Sequence, residues 1–457
     1  MAFISIILVA AFAGVTLIRI TEKDKATQIT RDIIHLGIIK FDGETSYVNV
    51  KTHWQKISRF DLLKVIRNAI DPNDRYEVGS KVIAEVAKRL AEDVELQFSI
   101  DKAYKAQEYL INFKNGVYNL LTGEFTTDRS AWIFDYVLNV NYVEQCTEKD
   151  CPIFMRFIKT SAGIENMDCI LISTGFAISS LTNVKKAVFL IGESDGGKST
   201  YLRLIESAVS PELVSNINFQ QLSSGYFVMQ LLGKKINISY DNSSKAMDNE
   251  QQFKSIVANE RISARALREN PVQFVPTAKL FFASNKPYTY KNPDLALYRR
   301  MILIPFEYSI PPEKQDKCLL EKLELERDVV FSLAARTLKS FVESGYDFKM
   351  SPKAQAYLES RIAALNSVDG FLDDRTVVDE AGSVSTAALY GAYKLWCAEN
   401  ALDPVDKAEF KESVLAYNPN IDYKKVGPRT KRLCGFKGLR LKTPEELSAS
   451  EAKDEVE

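Results

Sequence analysis

The sequence predicts an α/β protein with a central sheet, a small α+β region before it, and a module of helices and strands after it. Three observations support this. Between about residues 187 and 310, short apolar runs alternate with stretches of helical periodicity, as in a sheet covered by helices on both faces. A glycine-rich loop, Gly192-Glu193-Ser194-Asp195-Gly196-Gly197-Lys198-Ser199-Thr200, follows the first of these runs and opens a helix. Hydrophobic residues make up 46% and charged residues 26% of the 457 residues, an ordinary globular composition able to bury a full core, over a length that suits about three domains.

Composition also excludes several functions. Net charge is −1, so no global field draws the surface to nucleic acid, and such contacts must come from local basic clusters. Only two histidines occur, His35 and His53, which excludes a histidine-rich metal centre. The six cysteines form no CxxC pair and suit a reducing cytosol. Residues 2–18 are uncharged and apolar, with Arg19, Lys23 and Lys25 after them. The stretch is borderline for a bilayer span and lacks the basic start of a secretory signal. It is open to three readings: an anchor, an upstream start-codon extension, or a buried N-terminal helix.

From the N-terminus, residues 1–27 form this apolar segment and 28–150 the small α+β domain. Residues 38–44 and 47–50 read as a hairpin around Gly43, and residues 60–70 and 78–93 as amphipathic helices. Asn115-Gly116 marks a tight turn between strands, and Thr122-Gly123 a second turn. Residues 151–345 form the α/β domain. It opens with a helical stretch at 153–182, followed by strands at 187–191, 236–240, 279–283 and 301–306. A charged helical region runs from 315 to 365, and residues 346–367 serve as a linker. The C-terminal module, 368–442, has helices near 386–400 and 406–416 and then a basic β-like tail. Residues 443–457 carry six acidic residues against one lysine and read as disordered.

The loop fits G-x-x-x-x-G-K-[ST] in full. Glycines let the backbone curl so that its N–H groups face phosphate oxygens. Lys198 places an ammonium near the β- and γ-phosphates of ATP, Ser199 offers a hydroxyl to Mg²⁺, and the following helix presents its positive end to the anion. The strand at 236–240 leads to Asp241, a carboxylate for the metal, the attacking water, or both. The strand at 279–283 leads to Asn285, an amide that senses the γ-phosphate or positions water. Arg299 and Arg300 precede the strand at 301–306; arginine neutralises charge developing on a transferring phosphoryl group. Residues 262–274 read as a hairpin with Arg268 near its tip. From 424 to 442 there are eight basic residues and no acid, Lys431 and Arg432 among them, which suits a winged helix holding duplex DNA by its backbone, or a partner surface.

In combination, the loop, "INISY" before Asp241, Lys254, Arg265, "AKLFFASNKP" and "YRRMILIPF" resemble the superfamily 3 helicase domain of phage and plasmid primase-helicases and of the poxvirus NTPase-primase family. "FKNGVYNLLTGEF" resembles the small domain that precedes the helicase in that family, and "LYGAYKLWCAEN" with its basic tail resembles the family's winged-helix-like end. The resemblance implies a P-loop AAA+-type ATPase core that assembles as a ring, a hexamer, and moves along single-stranded DNA, 3′ to 5′ by analogy. It implies catalytic roles for Lys198, Asp241, Asn285 and Arg300, with Arg300 acting in trans and Arg299 in reserve. Ser199 and Asp241 are the implied metal residues, and Lys254, Arg265 and Arg268 the implied single-strand contacts. Two features depart from the family pattern: aspartate replaces the usual glutamate at 241, and the residues ahead of the P-loop region offer no paired catalytic acids of a primase domain, so a helicase without priming activity is expected.

The expected function is an ATP-dependent DNA helicase of phage or mobile-element replication. It would work in the host cytoplasm, on single-stranded and duplex DNA, beside a separate primase or polymerase. Two alternatives are a DNA-stimulated ATPase that remodels complexes without unwinding, and an origin-binding initiator or scaffold whose ATP site controls assembly.

Overall fold

The computed structural model describes residues 18–21, 24–240, 250–265, 270–285, 295–309, 311, 313, 315–365, 367–400, 402–427 and 432–446. The chain divides into two units. The first takes residues 1–244, 255–288 and 304–349, and the second 245–254, 289–303 and 350–457.

The first unit begins with helix α1 (Lys25–Leu36), capped by the Asp24 carboxylate on Thr27 N at 3.1 Å. Gly37 ends it in the left-handed conformation, with φ 61°, which glycine adopts without strain. Strands β1 (Ile39–Asp42), β2 (Thr45–Asn49) and β3 (Trp54–Ile57) form an antiparallel meander around the expected Gly43 turn. Helices α2 (Arg59–Ala69) and α3 (Ser80–Glu92) bury Ile66, Val86 and Leu90 against Ile29, Ile33 and Phe41, all at most 1% exposed. Ile18 joins this core. Residues 1–17 lie outside the described residues, and no helix among those described is long and apolar enough to cross a membrane.

After α4 (Ile100–Ala106), strands β4 (Leu110–Phe113), β5 (Gly116–Asn119) and β6 (Phe125–Thr126) form a second small sheet. Gly116 is required here, because a Cβ would stand 2.4 Å from both Thr126 O and the Phe125 ring. The helical stretch expected at 153–182 is two helices, α5 (Pro152–Ser161) and α6 (Met167–Ile178). They are separated at Gly163, whose φ of 88° ends the first. Helix α6 is apolar on all sides and almost wholly buried, as expected of a helix inside a core.

The central sheet uses β7 (Ala187–Ile191), β8 (Val214–Ser215), β9 (Ile236–Ser239), β12 (Lys279–Ser284) and β13 (Met301–Pro305), in the order β13-β7-β12-β9-β8. The pairings of β7 with β12, β12 with β9, and β9 with β8 are parallel. Phe306 N bonds Ile191 O at 2.7 Å, so the ends of β13 and β7 meet. Helix α7 (Lys198–Ser207) follows β7, a short α8 (Gly225–Val228) precedes β9, and α9 (Glu250–Val257) follows it. The hairpin β10 (Ile262–Ala264) with β11 (Val272–Phe274) leads into β12, and α10 (Leu295–Tyr298) into β13. Helix α11 (Leu319–Glu343) packs so closely on α6 that a Cβ at Gly175 would lie 2.4 Å from Ala334 O.

Two lysines are buried where β9 and β12 begin. Lys235 donates to Ser179 O at 3.1 Å and sits 3.6 Å from the Tyr136 ring centroid. Lys279 donates to the Leu181 and Thr277 carbonyls. Burial holds Lys235 well below the usual lysine range and brings Lys279 down to about 7 from its ordinary 10.5. Between those two values the unfolded chain binds a proton at this position that the folded chain does not. Stability therefore rises with pH above about 7, by up to ~1.4 kcal/mol per pH unit for one such group. Lys279→Met is expected to flatten the rise in thermal midpoint between about pH 7 and 9, below the range where tyrosines titrate. An unchanged slope would mean that the amine is charged in the fold.

The second unit contains α12 (Pro352–Leu365), α13 (Ser367–Arg375), β14 (Thr376–Ser385), α14 (Thr386–Glu399), α15 (Lys407–Tyr417), β15 (Asp422–Val426) and β16 (Leu433–Leu441). The sheet order is β14-β16-β15, all antiparallel. Phe371, Leu389, Tyr393, Phe410, Val414, Phe436 and Leu439 form its core. The acidic C-terminal segment, expected to be disordered, starts with an ordered turn. Arg440 donates to both Glu446 oxygens at 2.8 Å, and these bonds draw the carboxyl down to about 2.

Candidate functional site

Strand β7 is buried through Ala187–Leu190 and delivers the chain at Ile191 to the C-terminal edge of the parallel sheet, the edge where α/β sheets hold ligands. The loop then curls under tight constraint. Gly192 N donates to Ser284 O at 3.2 Å, and a Cβ on Gly192 would fall 1.8 Å from Phe306 O. At Gly197, φ is 91° and a Cβ would meet Phe157 at 2.7 Å and Ser161 Oγ at 2.9 Å. Asp195 also has a left-handed backbone, with φ 60°, a conformation aspartate tolerates better than most residues.

Lys198 opens α7 and is only 6% exposed. Its ammonium donates back to Gly192 O at 2.7 Å and to Glu193 O at 2.6 Å, so it closes the loop like a clasp. No side chain caps α7 and no acid stands in its first turn. The orphan N–H groups and positive end of this helix therefore suit an anion. Ser199 is exposed, as are Glu193, Ser194 and Asp195. Behind the loop, the Tyr201 hydroxyl bonds Thr174 Oγ1 at 2.9 Å and Ile170 O at 3.2 Å, pinning α7 to α6. These residues fit a triphosphate: the glycines leave room for a close backbone approach, and Lys198 lies within the curl.

The neighbouring strand supplies the next part. Because β12 pairs directly with β7, Asn285 emerges beside the loop, and its Nδ2 donates to Ser194 Oγ at 3.2 Å. Ser309 Oγ donates to Ser194 O at 3.2 Å, so the loop crest is held from two sides. Strand β9 lies one strand beyond β12, about 10 Å from β7 at the usual strand spacing. Asp241, to which it leads, lies outside the described residues, as do Arg268 and Lys431. The end of β9 is tied to α7 by a hydrogen bond from Tyr240 to the Glu206 carboxylate. Burial first, then Glu206, pushes the Tyr240 phenol up. The sequence showed no sign of this tie.

Of the residues expected to contact nucleic acid, Arg265 stands at the end of β10. Its Nη2 donates to Tyr226 Oη at 2.7 Å, and its guanidinium lies 5.1 Å from that ring's centroid. Tyr226 and Phe227 of α8 are 46% and 39% exposed, and the Tyr226 ring and the Arg265 cation share one surface, the combination that holds single strands without reading sequence. Sequence reasoning missed these aromatics, and the exposed Tyr226-Phe227 pair after Ser223-Ser224-Gly225 was the only available cue. Lys254, Arg300 and Arg432 belong to the second unit. Lys254 sits in the last turn of α9, and Arg432 is exposed just before β16. Arg299 is exposed, whereas Arg300 is half-buried and donates to Ala296 O at 2.8 Å.

Comparison with known proteins adds the following. Residues 27–161 match a family model described as D5 N terminal like, and residues 190–300 match a family of unknown function (DUF5906). Over 276 residues the chain is 27% identical to a protein of Acanthamoeba polyphaga mimivirus whose name gives it as a "putative helicase". The match covers 58% of this chain and 28% of that protein, so the chain corresponds to well under half of the relative's length. An apo structure of the NrS-1 C-terminal region (residues 305–718 of that protein) aligns over 91% of this chain and 99% of its own, at 13% identity and a TM-score of 0.49. Another apo form of the region aligns over 90% and 99%, at 12% identity and a TM-score of 0.48.

Proposed function

We propose that this chain is the motor of a DNA helicase that serves the replication of a phage or other mobile element, with an AAA+-type core of the superfamily 3 kind. The observation that carries the reading is the clasped loop. Lys198 is bonded to the Gly192 and Glu193 carbonyls at the C-terminal edge of a parallel sheet, with Asn285 on the adjacent strand end bonded to Ser194. The name of the mimivirus relative and the match of residues 27–161 to the D5 N terminal like family support placing this site in replication.

In this reading the loop amides and Lys198 hold the triphosphate of ATP, and Ser199 and Asp241 hold Mg²⁺. Bound Mg²⁺ supplies Lewis-acid polarisation of the phosphoryl oxygens. Lys198 exchanges its two carbonyl acceptors for phosphate oxygens. Asn285, fixed by Ser194, orients the group at the γ end. Asp241, which follows Tyr240 in the sequence, orders metal, water or both. Arg300 of an adjoining protomer, with Arg299 in reserve, neutralises the developing charge, which requires a ring or other oligomer. Arg265, with the Tyr226 face beside it, contacts single-stranded DNA, and the β15–β16 surface around Arg432 contacts duplex.

The test is a mixed-assembly assay. Subunits carrying Lys198→Ala and subunits carrying Arg300→Ala, each inactive alone, are combined. Recovered ATP turnover, up to about a quarter of the wild-type rate for random pairing at equal amounts, is expected, because one intact interface combines a good loop with a good arginine. No recovery with Arg300→Ala or with Arg299→Ala would exclude a shared active site. Unwinding of a forked duplex separates a helicase from an ATPase that only remodels complexes.

A further inference from the structure

The β1–β3 sheet and the segment 127–134 line a cleft of about 550 Å³ that shares no residue with the loop at 192–200; Trp54, Trp132, Lys40, Lys51 and Arg129 are among its lining. Its size is within the ~300–1,000 Å³ of ligand sites. Two of the chain's three tryptophans line it. Trp54 is a buried wall, and its backbone N–H donates to Phe134 O at 2.6 Å, joining the two sides. Trp132 packs on Phe134, with centroids 6.3 Å apart, and is only half-buried, so part of its indole stays open.

The charge of the lining is one-sided. Lys40, Lys51 and Arg129 face a single carboxylate, Asp128, which already accepts from Ser130 N at 2.8 Å. Lys40 Nζ lies 5.7 Å from the Trp54 centroid, an ammonium beside an aromatic face. Arg129 is fixed by Nε on Asn112 Oδ1 at 2.9 Å and by Nη2 on Phe113 O at 2.7 Å and Lys114 O at 3.1 Å, which leaves Nη1 uncommitted. Lys51 is exposed in a left-handed conformation, with φ 72°; a lysine held there, where glycine would be unstrained, is the kind of outlier that collects at binding sites. His53 is neutral at pH 7, because burial brings it down to about 4, so the field comes from the lysines and Arg129.

We propose that this cleft binds a nucleotide unit of single-stranded nucleic acid, with the base stacked on Trp132 beside the Trp54 wall and the phosphate among Lys40, Lys51 and Arg129. A plain anion would have no use for two indoles, and an apolar ligand none for three cations. Stacking plus charge reads no base edge, so the site is sequence-tolerant. It shares no residue with the ATP site, and the two assignments stand or fall separately.

The test uses the full chain carrying Trp396→Phe, in which both remaining tryptophans line the cleft. An oligothymidylate of about 12 nucleotides, inside the ~4–16 span of such sites, is expected to quench their emission. Trp132→Ala and, separately, Lys51→Glu are expected to weaken that titration about tenfold. Lys51→Glu should also reduce the salt slope by about 0.7 or more. Lys51 is exposed, so this variant remains informative if Trp132→Ala misfolds. Thymidine monophosphate should compete where inorganic phosphate at the same concentration does not. Lack of quenching, or unchanged affinity in both variants, overturns the assignment. Equal competition by phosphate reduces the cleft to an anion pocket, and equal quenching by oligoglutamate makes it a surface for acidic proteins; either result also overturns it. Lys198→Ala should keep the quenching while losing ATP turnover, so quenching lost with turnover intact counts against this cleft alone.

Discussion

Lys198→Ala is expected to reduce Mg-ATP turnover by on the order of 10²–10³-fold or more, the scale seen when one preorganised charge-stabilising donor is removed. The structure adds a reason beyond lost charge. The ammonium bridges the Gly192 and Glu193 carbonyls, so its removal also unclasps the loop. Lys198→Arg keeps the charge, but a planar fork replaces the compact ammonium in a position only 6% exposed, and the two groups are not interchangeable there. Both variants should be deficient in steady-state ATPase assays and retain the wild-type circular dichroism spectrum. Full turnover in Lys198→Ala would remove the loop from the chemistry.

Gly192→Ala should be nearly as damaging, by a different route. The added Cβ would lie 1.8 Å from Phe306 O, and the obstacle is backbone. Phe306 is wholly buried and its N–H is bonded to Ile191 O, so it cannot move aside without separating the ends of β13 and β7. Overpacking of this kind costs about 1–3 kcal/mol, and a displacement of about 1 Å at the loop costs turnover about a hundredfold. Gly391→Ala is the matched control. It lies inside α14 with nothing within 4 Å of its Cβ, and should stabilise by about 0.5–1 kcal/mol. Differential scanning fluorimetry and an ATPase assay check both variants. A Gly192→Ala protein with wild-type melting and turnover would refute the steric argument.

The loop was legible because its chemistry is local: glycines, lysine and hydroxyl at fixed spacing, after an apolar run. Asn285 was legible because parallel strands align their C-terminal ends, so a polar residue after a neighbouring strand returns to the same edge. What escaped was short or non-local. Strand β8 is two residues long, too short for any periodicity. Strand β14 alternates poorly because its pairing with β16 shifts register between Val378 and Ser383, around charged Asp379 and Glu380. The break at Gly163 was masked by apolar residues on both sides. Tyr226 meets Arg265 across 39 residues of chain, and Trp54 meets the 127–134 segment across more; no local pattern encodes either meeting.

The phenol of Tyr201 has one more implication. With α7 bolted to α6 at Thr174 and Ile170, and α6 wedged against α11 at Gly175, the floor beneath the glycine-rich loop is braced through three helices. If the chain is the motor proposed above, work extracted from each turnover would leave through the strand tips and hairpins at the rim, not through recoil of the loop's own support.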